Sequence, residues 1–375
     1  MKKTGYLIWL LLIGLQVAVY YMLFRNLVEA AYQNQAPAWF NNLVQAIYPR
    51  FTVEKHRFDI HFFLQKADQV VWRFYGLQVM VLAGLYSFRF LPGFRTRFID
   101  FWQRPVSVMQ VRILSIVFYS GILFFTYEWY GYLSELSKAK AFYQPLQLLR
   151  LLHIGFPAPT LLLILCIMLW LSCVAVILNF KPVISASITT FLFILLQGWL
   201  YSFEKLDHTF STLTYAAMIM PFLIYEQYKS IELNQKWLSG WALQLICVCI
   251  ALAYLLAGLE KILISGWHWI DSDTFRSYIY LHQAPLGLEI AKSQWLCKVL
   301  PALALLFQIG FIGILILRKF IILFLIAGVG FHIGTYLLLG VGGYANPWIF
   351  VYIFFIDWDK LSIPDTILTS KKSSV

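Results

Sequence analysis

Seven ionisable side chains stand where the sequence leaves them little water. Glu204, Lys205, Asp207 and His208 separate two apolar runs, Glu260 and Lys261 close a third, and His332 lies inside a fourth, "AGVGFHIGTYLLLGVGGY". In hydrocarbon such groups are costly, so by default they face a bundle interior or a wet cavity. An amine held in an apolar pocket gives up its proton more readily and can serve as a general base near neutral pH, with imidazoles polarising or relaying protons beside it. Lys261, His208 and His332 are the candidates for such chemistry, and the residue types alone assign none of them a role. Glu204, Glu260, Trp267 and Tyr336 are candidate substrate contacts, and no metal is implied. Each residue also has a plainer use. Lys261 can snorkel to the headgroups, His208 can follow Asp207 as the cap of a helix, and His332 can be a core histidine satisfied by a neighbour such as Tyr336, one turn further on the same face.

The elements that position these groups are membrane helices. A chain of 375 residues that is 61% hydrophobic and 13% charged has too much apolar surface for one water-soluble core. Its runs are long and lack period-2 alternation, so helices rather than a barrel satisfy the backbone. The pattern predicts an all-α polytopic bundle of about ten spans, near 5–24, 70–91, 108–130, 158–180, 183–203, 208–225, 240–262, 295–317, 320–340 and 345–357. The first segment has a basic start and an apolar stretch too long for a cleaved signal, which predicts a retained anchor.

Lys2, Lys3, Arg95, Arg97, Arg104, Lys181, Lys229, Lys236, Arg318, Lys319, Lys371 and Lys372 fall on alternate connections. The positive-inside rule then makes both termini cytoplasmic and the chain a multi-pass inner-membrane protein. Under that orientation the spans ending at Glu204, Lys261 and beyond His332, and the span opening at His208, bring their polar groups to one outer side. His332 lies eight residues before Gly340, roughly 12 Å below that edge. The opposite side shows no buried charge in this reading.

Other features exclude rather than assign. The net charge of +11 is scattered between spans and forms no basic run interleaved with aromatics, so nucleic acid is not a predicted partner. Cys166, Cys173, Cys247, Cys249 and Cys297 lie in or beside spans and read as small core residues rather than a disulfide framework. His56 and His61 are spaced too loosely for a helical metal pair. The long connection 25–69 is expected to carry short interfacial helices, and the stretch after Trp358 reads as a short polar tail. The organisation expected is N-terminal membrane helices over 1–180, a membrane core over 181–360, and a cytoplasmic tail over 361–375.

Three motifs carry a resemblance. "AGLEKILISGWHWIDSDTF", "DHTFSTLTYAAMIMPFL" and "FHIGTYLLLGVGGYANPWIFVYIFFIDW" resemble, in order, the lysine element, the "NH" element and the "FH" element of the vitamin K-dependent gamma-carboxylase-like proteins, the horizontally transferred transmembrane (HTTM) family. The likeness covers roughly residues 190–360 and does not reach 1–180. In the family's carboxylases the lysine deprotonates a vitamin K hydroquinone on the lumenal side. Oxygen then makes the quinol a base strong enough to abstract the gamma proton of glutamate before carbon dioxide adds. Carried across by motif, the resemblance implies Lys261 as base, His208 and His332 as the two family histidines and a reduced quinone as co-substrate, but not carboxylation of a propeptide-bearing protein; membrane lipid and a peptide or envelope protein are the candidate partners. The sequence departs from the pattern at Glu260, where the carboxylases have a second lysine, and the large lumenal domain that grips a protein substrate is not expected here. Two other readings stay open: a non-catalytic membrane partner in peptide or envelope processing or export, and a transporter.

Overall fold

The computed structural model describes residues 3–48, 50–203, 208–271, 273–343 and 345–360. Its chain divides into two compact units, 1–101 and 102–375.

In the first unit, helix α1 (Lys3–Val19) runs through a wider π turn at Tyr20–Phe24 into α2 (Arg25–Tyr32), and α3 (Ala38–Ile47) and α4 (Phe51–Glu54) lead to α5 (Ile60–Phe90) and α6 (Pro92–Trp102). Helices α1 and α5 form an antiparallel hairpin. Its register is set by polar pairs, Gln78 to Gln16 at 3.1 Å, Trp72 Nε1 to Tyr21 at 3.1 Å and Tyr20 to Asp68 at 2.7 Å. Between spans water is not available to these groups, so each finds its partner across the hairpin. The connection 25–69 does carry short helices, and they close over a small core of Ala31, Phe40, Phe51 and Phe63. His56 and His61 are exposed.

The second unit begins with strand β1 (Pro105–Ser107), followed by α7 (Val108–Thr126), α8 (Trp129–Lys138), α9 (Gln147–Leu151), α10 (Pro159–Ile177), α11 (Pro182–Leu200) and α12 (Ser211–Glu232). Strand β2 (Trp237–Ser239) pairs antiparallel with β1, Val106 opposite Leu238. Then come α13 (Trp241–Ser265), α14 (His268–Asp271), α15 (Thr274–His282), α16 (Pro285–Ala291), α17 (Gln294–Gly310), α18 (Ile321–Leu339) and α19 (Pro347–Phe350), the last continued by a 3-10 turn at Val351–Phe355. Side-chain hydroxyls tie neighbouring helices together: Ser172 to Thr189 at 2.8 Å, Thr190 to the Ala217 carbonyl at 2.6 Å and Thr214 to Gln197 at 2.8 Å. All five cysteines are free, four of them buried.

Among the described residues, eight helices are long and apolar enough to cross a membrane. The two expected spans outside this set differ for separate reasons. Helix α12 is 22 residues long but ends on Glu226, Lys229 and Glu232; it packs between α11 and α13, and protein rather than lipid covers its inner face. The stretch 345–357 is no long helix at all. Pro347 opens a single turn that tightens into the 3-10 segment, a length of roughly 15 Å against the roughly 30 Å of hydrocarbon. Its apolar residues serve the core. Trp348, Val351, Tyr352, Phe354 and Phe355 are buried, and the helices around them give way with glycine. A Cβ at Gly121 of α7 would stand 2.0 Å from the Phe350 ring, and one at Gly328 of α18 would stand 2.1 Å from the Tyr352 hydroxyl.

Two outcomes follow from this packing and from the alternating charges. Gly121→Ala should lower thermal stability by about 1–3 kcal/mol, as overpacking does, measured by unfolding in detergent; an unchanged midpoint would show that the 347–355 segment is loosely held. In intact cells, a cysteine at exposed Ser277 should react with a membrane-impermeant thiol reagent, and one at exposed Gln235 should not. The reverse pattern would invert the orientation.

Candidate functional site

At the heart of the second unit is the hydroxyl of Tyr254, on α13. The side chain is 2% exposed. Its ring is enclosed by Phe311 at 4.5 Å, Trp348 at 5.0 Å and Phe307 at 5.3 Å between centroids. The hydroxyl meets His332 Nε2 at 2.5 Å and the Tyr352 hydroxyl at 2.7 Å. The other imidazole nitrogen, Nδ1, faces Asn346 Nδ2 at 3.4 Å.

The directions of these bonds follow from one fixed end. Asn346 Oδ1 accepts from the Trp348 backbone N–H at 2.9 Å, which turns the amide's Nδ2 toward the imidazole. Nδ1 is then an acceptor, Nε2 carries the hydrogen and donates to Tyr254, and Tyr254 donates to Tyr352. The imidazole is neutral, and both its nitrogens are engaged. His332 thus has the partner its depth demands, but the partner is Tyr254 rather than Tyr336, which is half-buried one turn away.

Trp348 links this network to the start of α12. Its indole N–H donates to the His208 carbonyl at 3.2 Å, and its ring lies 6.0 Å from the His208 ring and 6.1 Å from the His332 ring. Both histidines therefore neighbour the same tryptophan. His208 itself is exposed and precedes the helix, which begins at Ser211. Glu204, Lys205 and Asp207 lie outside the described residues.

Lys261 is on the same face of α13 as Tyr254, two turns further along, about 10 Å by the helical rise. It is half-buried. Its ammonium donates to the Ala257 carbonyl one turn back at 3.1 Å and lies 5.3 Å from the centroid of the Trp269 ring. The aromatic neighbour is thus Trp269, and Trp267 points away, 81% exposed. Trp269 belongs to α14, a short turn tied to α17 by Lys298, which donates to Asp271 at 2.6 Å. That bond and the lysine charge hold the Asp271 carboxyl below its ordinary range. Glu260 faces outward, exposed. Between the levels of Tyr254 and Lys261, Gly258 lets α17 approach closely, and there Gln308 presents a buried Oε1 with no hydrogen-bond partner among the described residues.

The far end of α13 corrects one expectation, because it does hold sequestered charge. Arg112 is half-buried and caps the end of α10, donating to the Val176 carbonyl at 3.0 Å and to that of Ile177. Half-buried Arg318 donates to the buried Gln244 side chain. Tyr254, Tyr352, Asn346 and Trp348 are the site residues that sequence reasoning missed. The one available signal was "YANPW", an Asn-Pro pair that breaks an apolar run and so promises a turn inside it.

Comparison with protein-family models, curated proteins and solved structures finds no match for the chain.

If the buried network is structural, His332→Gln should keep the fold while His332→Leu loses about 1–3 kcal/mol, the cost of stranding its partners. Tyr254→Phe should cost a similar amount. Equal thermal unfolding midpoints for wild type, His332→Leu and Tyr254→Phe would refute the network.

Proposed function

We propose that the chain is an integral-membrane enzyme of the vitamin K-dependent gamma-carboxylase-like kind, in which Lys261 takes a proton from a lipid-soluble quinol at the outward end of the bundle. One observation carries this reading. The Lys261 ammonium touches a carbonyl and an indole and, among the described residues, has no carboxylate within salt-bridge distance. A lysine that only marks the membrane edge reaches out to the headgroups. This one folds back along its own helix, its ammonium turned to a carbonyl and an indole.

Two further features support it. Gln308 Oε1, beside Gly258, is an acceptor without a donor among the described residues, and a phenolic hydroxyl is a donor that suits it. His208 is exposed beside Trp348, within reach of a substrate arriving from the outer side, such as a peptide or envelope protein. His332 in this scheme is a positioning residue: it fixes Tyr254, and through it the stripe of α13 that ends in Lys261. The closed network around His332 favours a second reading as well, a non-catalytic partner in peptide or envelope processing or export, because a fully engaged imidazole has no lone pair left for a substrate.

Oxygen uptake by the purified protein supplied with a reduced quinone separates the two. The enzyme reading expects quinol-dependent uptake that falls about a hundredfold or more in Lys261→Arg, since a general base contributes that much and a guanidinium cannot give up its proton near neutral pH. An arginine variant as active as wild type would remove Lys261 from the chemistry. No quinol-dependent uptake by well-folded protein would leave the partner reading.

A further inference from the structure

The second unit contains a cavity of about 650 Å³ at the end of the bundle opposite Lys261, bounded by the β1–β2 ribbon, the start of α13 and the residues that follow the 3-10 turn. Its floor is apolar, with Leu243, Ile314 and Phe354, and its wall carries four cationic side chains, Arg104, Arg318, Lys319 and Lys360, against two carboxylates. The carboxylates are occupied. Asp357 pairs with Lys360 at 3.2 Å, and Asp359 accepts from the Ser107 hydroxyl. The arginines are not neutralised in this way: among the described residues neither Arg104 nor Arg318 has a carboxylate within 4 Å. They are nevertheless near enough for their like charges to act on each other.

Two half-buried guanidiniums face one cavity with no carboxylate within 4 Å of either among the described residues, Asp357 acting on Arg318 only from beyond that distance, and the fold holds them together against repulsion. The Gly240 N–H donates to the Arg104 carbonyl at 3.0 Å and pins that residue to the ribbon. Gln244, 2% exposed, accepts from Arg318 and fixes its direction. A planar guanidinium fork suits phosphate oxygens, and two forks suit one phosphate better than two separate anions. The apolar floor beneath them suits a ligand that also has hydrocarbon to bury. Trp237 and Trp241 flank the opening of α13 at this level, where aromatic residues mark a membrane interface.

We propose that this cavity binds a phosphate-headed amphiphile, an anionic phospholipid of the adjoining leaflet, with its phosphate between Arg104 and Arg318 and its apolar part over Leu243, Ile314 and Phe354. The site is separate from Lys261 and does not depend on what Lys261 does.

The test uses the full chain in a non-ionic detergent, titrated with short-chain phosphatidylglycerol, phosphatidylcholine of the same chain length, or inorganic phosphate, with the thermal unfolding midpoint as readout. Phosphatidylglycerol should raise the midpoint at concentrations where phosphatidylcholine and phosphate do not. The double variant Arg104→Gln/Arg318→Gln should need at least about tenfold more, the loss expected for hydrogen bonds to charged groups. An equal response of wild type and double variant would overturn the site, and a response to phosphate matching that to phosphatidylglycerol would overturn the amphiphile. Should the double variant fail to fold, wild-type protein can be irradiated with phosphatidylglycerol bearing a diazirine in its acyl chain. Adducts on the peptides holding Leu243, Ile314 or Phe354 are expected, and adducts confined to other segments would sink the proposal.

Discussion

The constraint on which the second unit rests is that a polar group in hydrocarbon has no water to fall back on. Tyr254 carries its hydroxyl into the most crowded part of the core, where the ring is hemmed in by Phe307, Phe311 and Trp348. The hydroxyl can be satisfied only if α18 brings His332 and the 347–355 segment brings Tyr352 to it at once. One side chain therefore fixes three elements distant in sequence. The sterics agree with the hydrogen bonds, since Gly328 is the residue of α18 that makes room for Tyr352.

The segment 347–355 shows how hydropathy alone can mislead inside a membrane protein. Apolar residues there are as dense as in a span, yet Pro347 opens a turn that tightens instead of extending. What the sequence presents as a tenth crossing is a plug. It is received by glycine on α7 and α18; it supplies Trp348, which neighbours both histidines, and its cap Asn346 faces the deeper one. Helix α12 errs in the opposite direction: its last turns are polar, and it keeps its place because α11 and α13 cover it.

Much of the framework was legible because helix formation and lipid exposure are local and compositional. Eight long apolar helices lie where the runs of Leu, Ile and Val put them, and the short helices of 25–69 follow from aromatics alternating with charge. His332 was legible as a group in need of a partner, and so was the shared side of Lys261 and His208. The identity of the partner was not. Tyr254 and Tyr352 are separated by 98 residues, and Tyr254 and His332 by 78, and to any local pattern the two tyrosines are ordinary members of apolar runs. Trp267 and Trp269 are likewise equivalent in composition, and only the turn after Gly266 decides that Trp269 meets the lysine.

Seen along α13, the protein keeps cations at both ends and deals with them differently. At one end Arg112 is spent on the open carbonyls that terminate α10, a favourable use of positive charge at a helix C-terminus. Arg318 is oriented by a neutral group, Gln244, and the Gly240 amide holds the backbone of Arg104, neither of which cancels charge. At the other end Lys261 is met by a carbonyl and an indole, again without a carboxylate among the described residues. A carboxylate in any of these places would make a stable ion pair and silence the cation. Neutral partners leave it unsatisfied in a medium that penalises isolated charge. A cation in that state has two ways to lower its energy, and its chemistry selects between them. An amine can release its proton, whereas a guanidinium cannot and must recruit an anion. The residue types at the two ends of α13 therefore suit the two proposals, proton transfer at Lys261 and anion capture at Arg104 and Arg318.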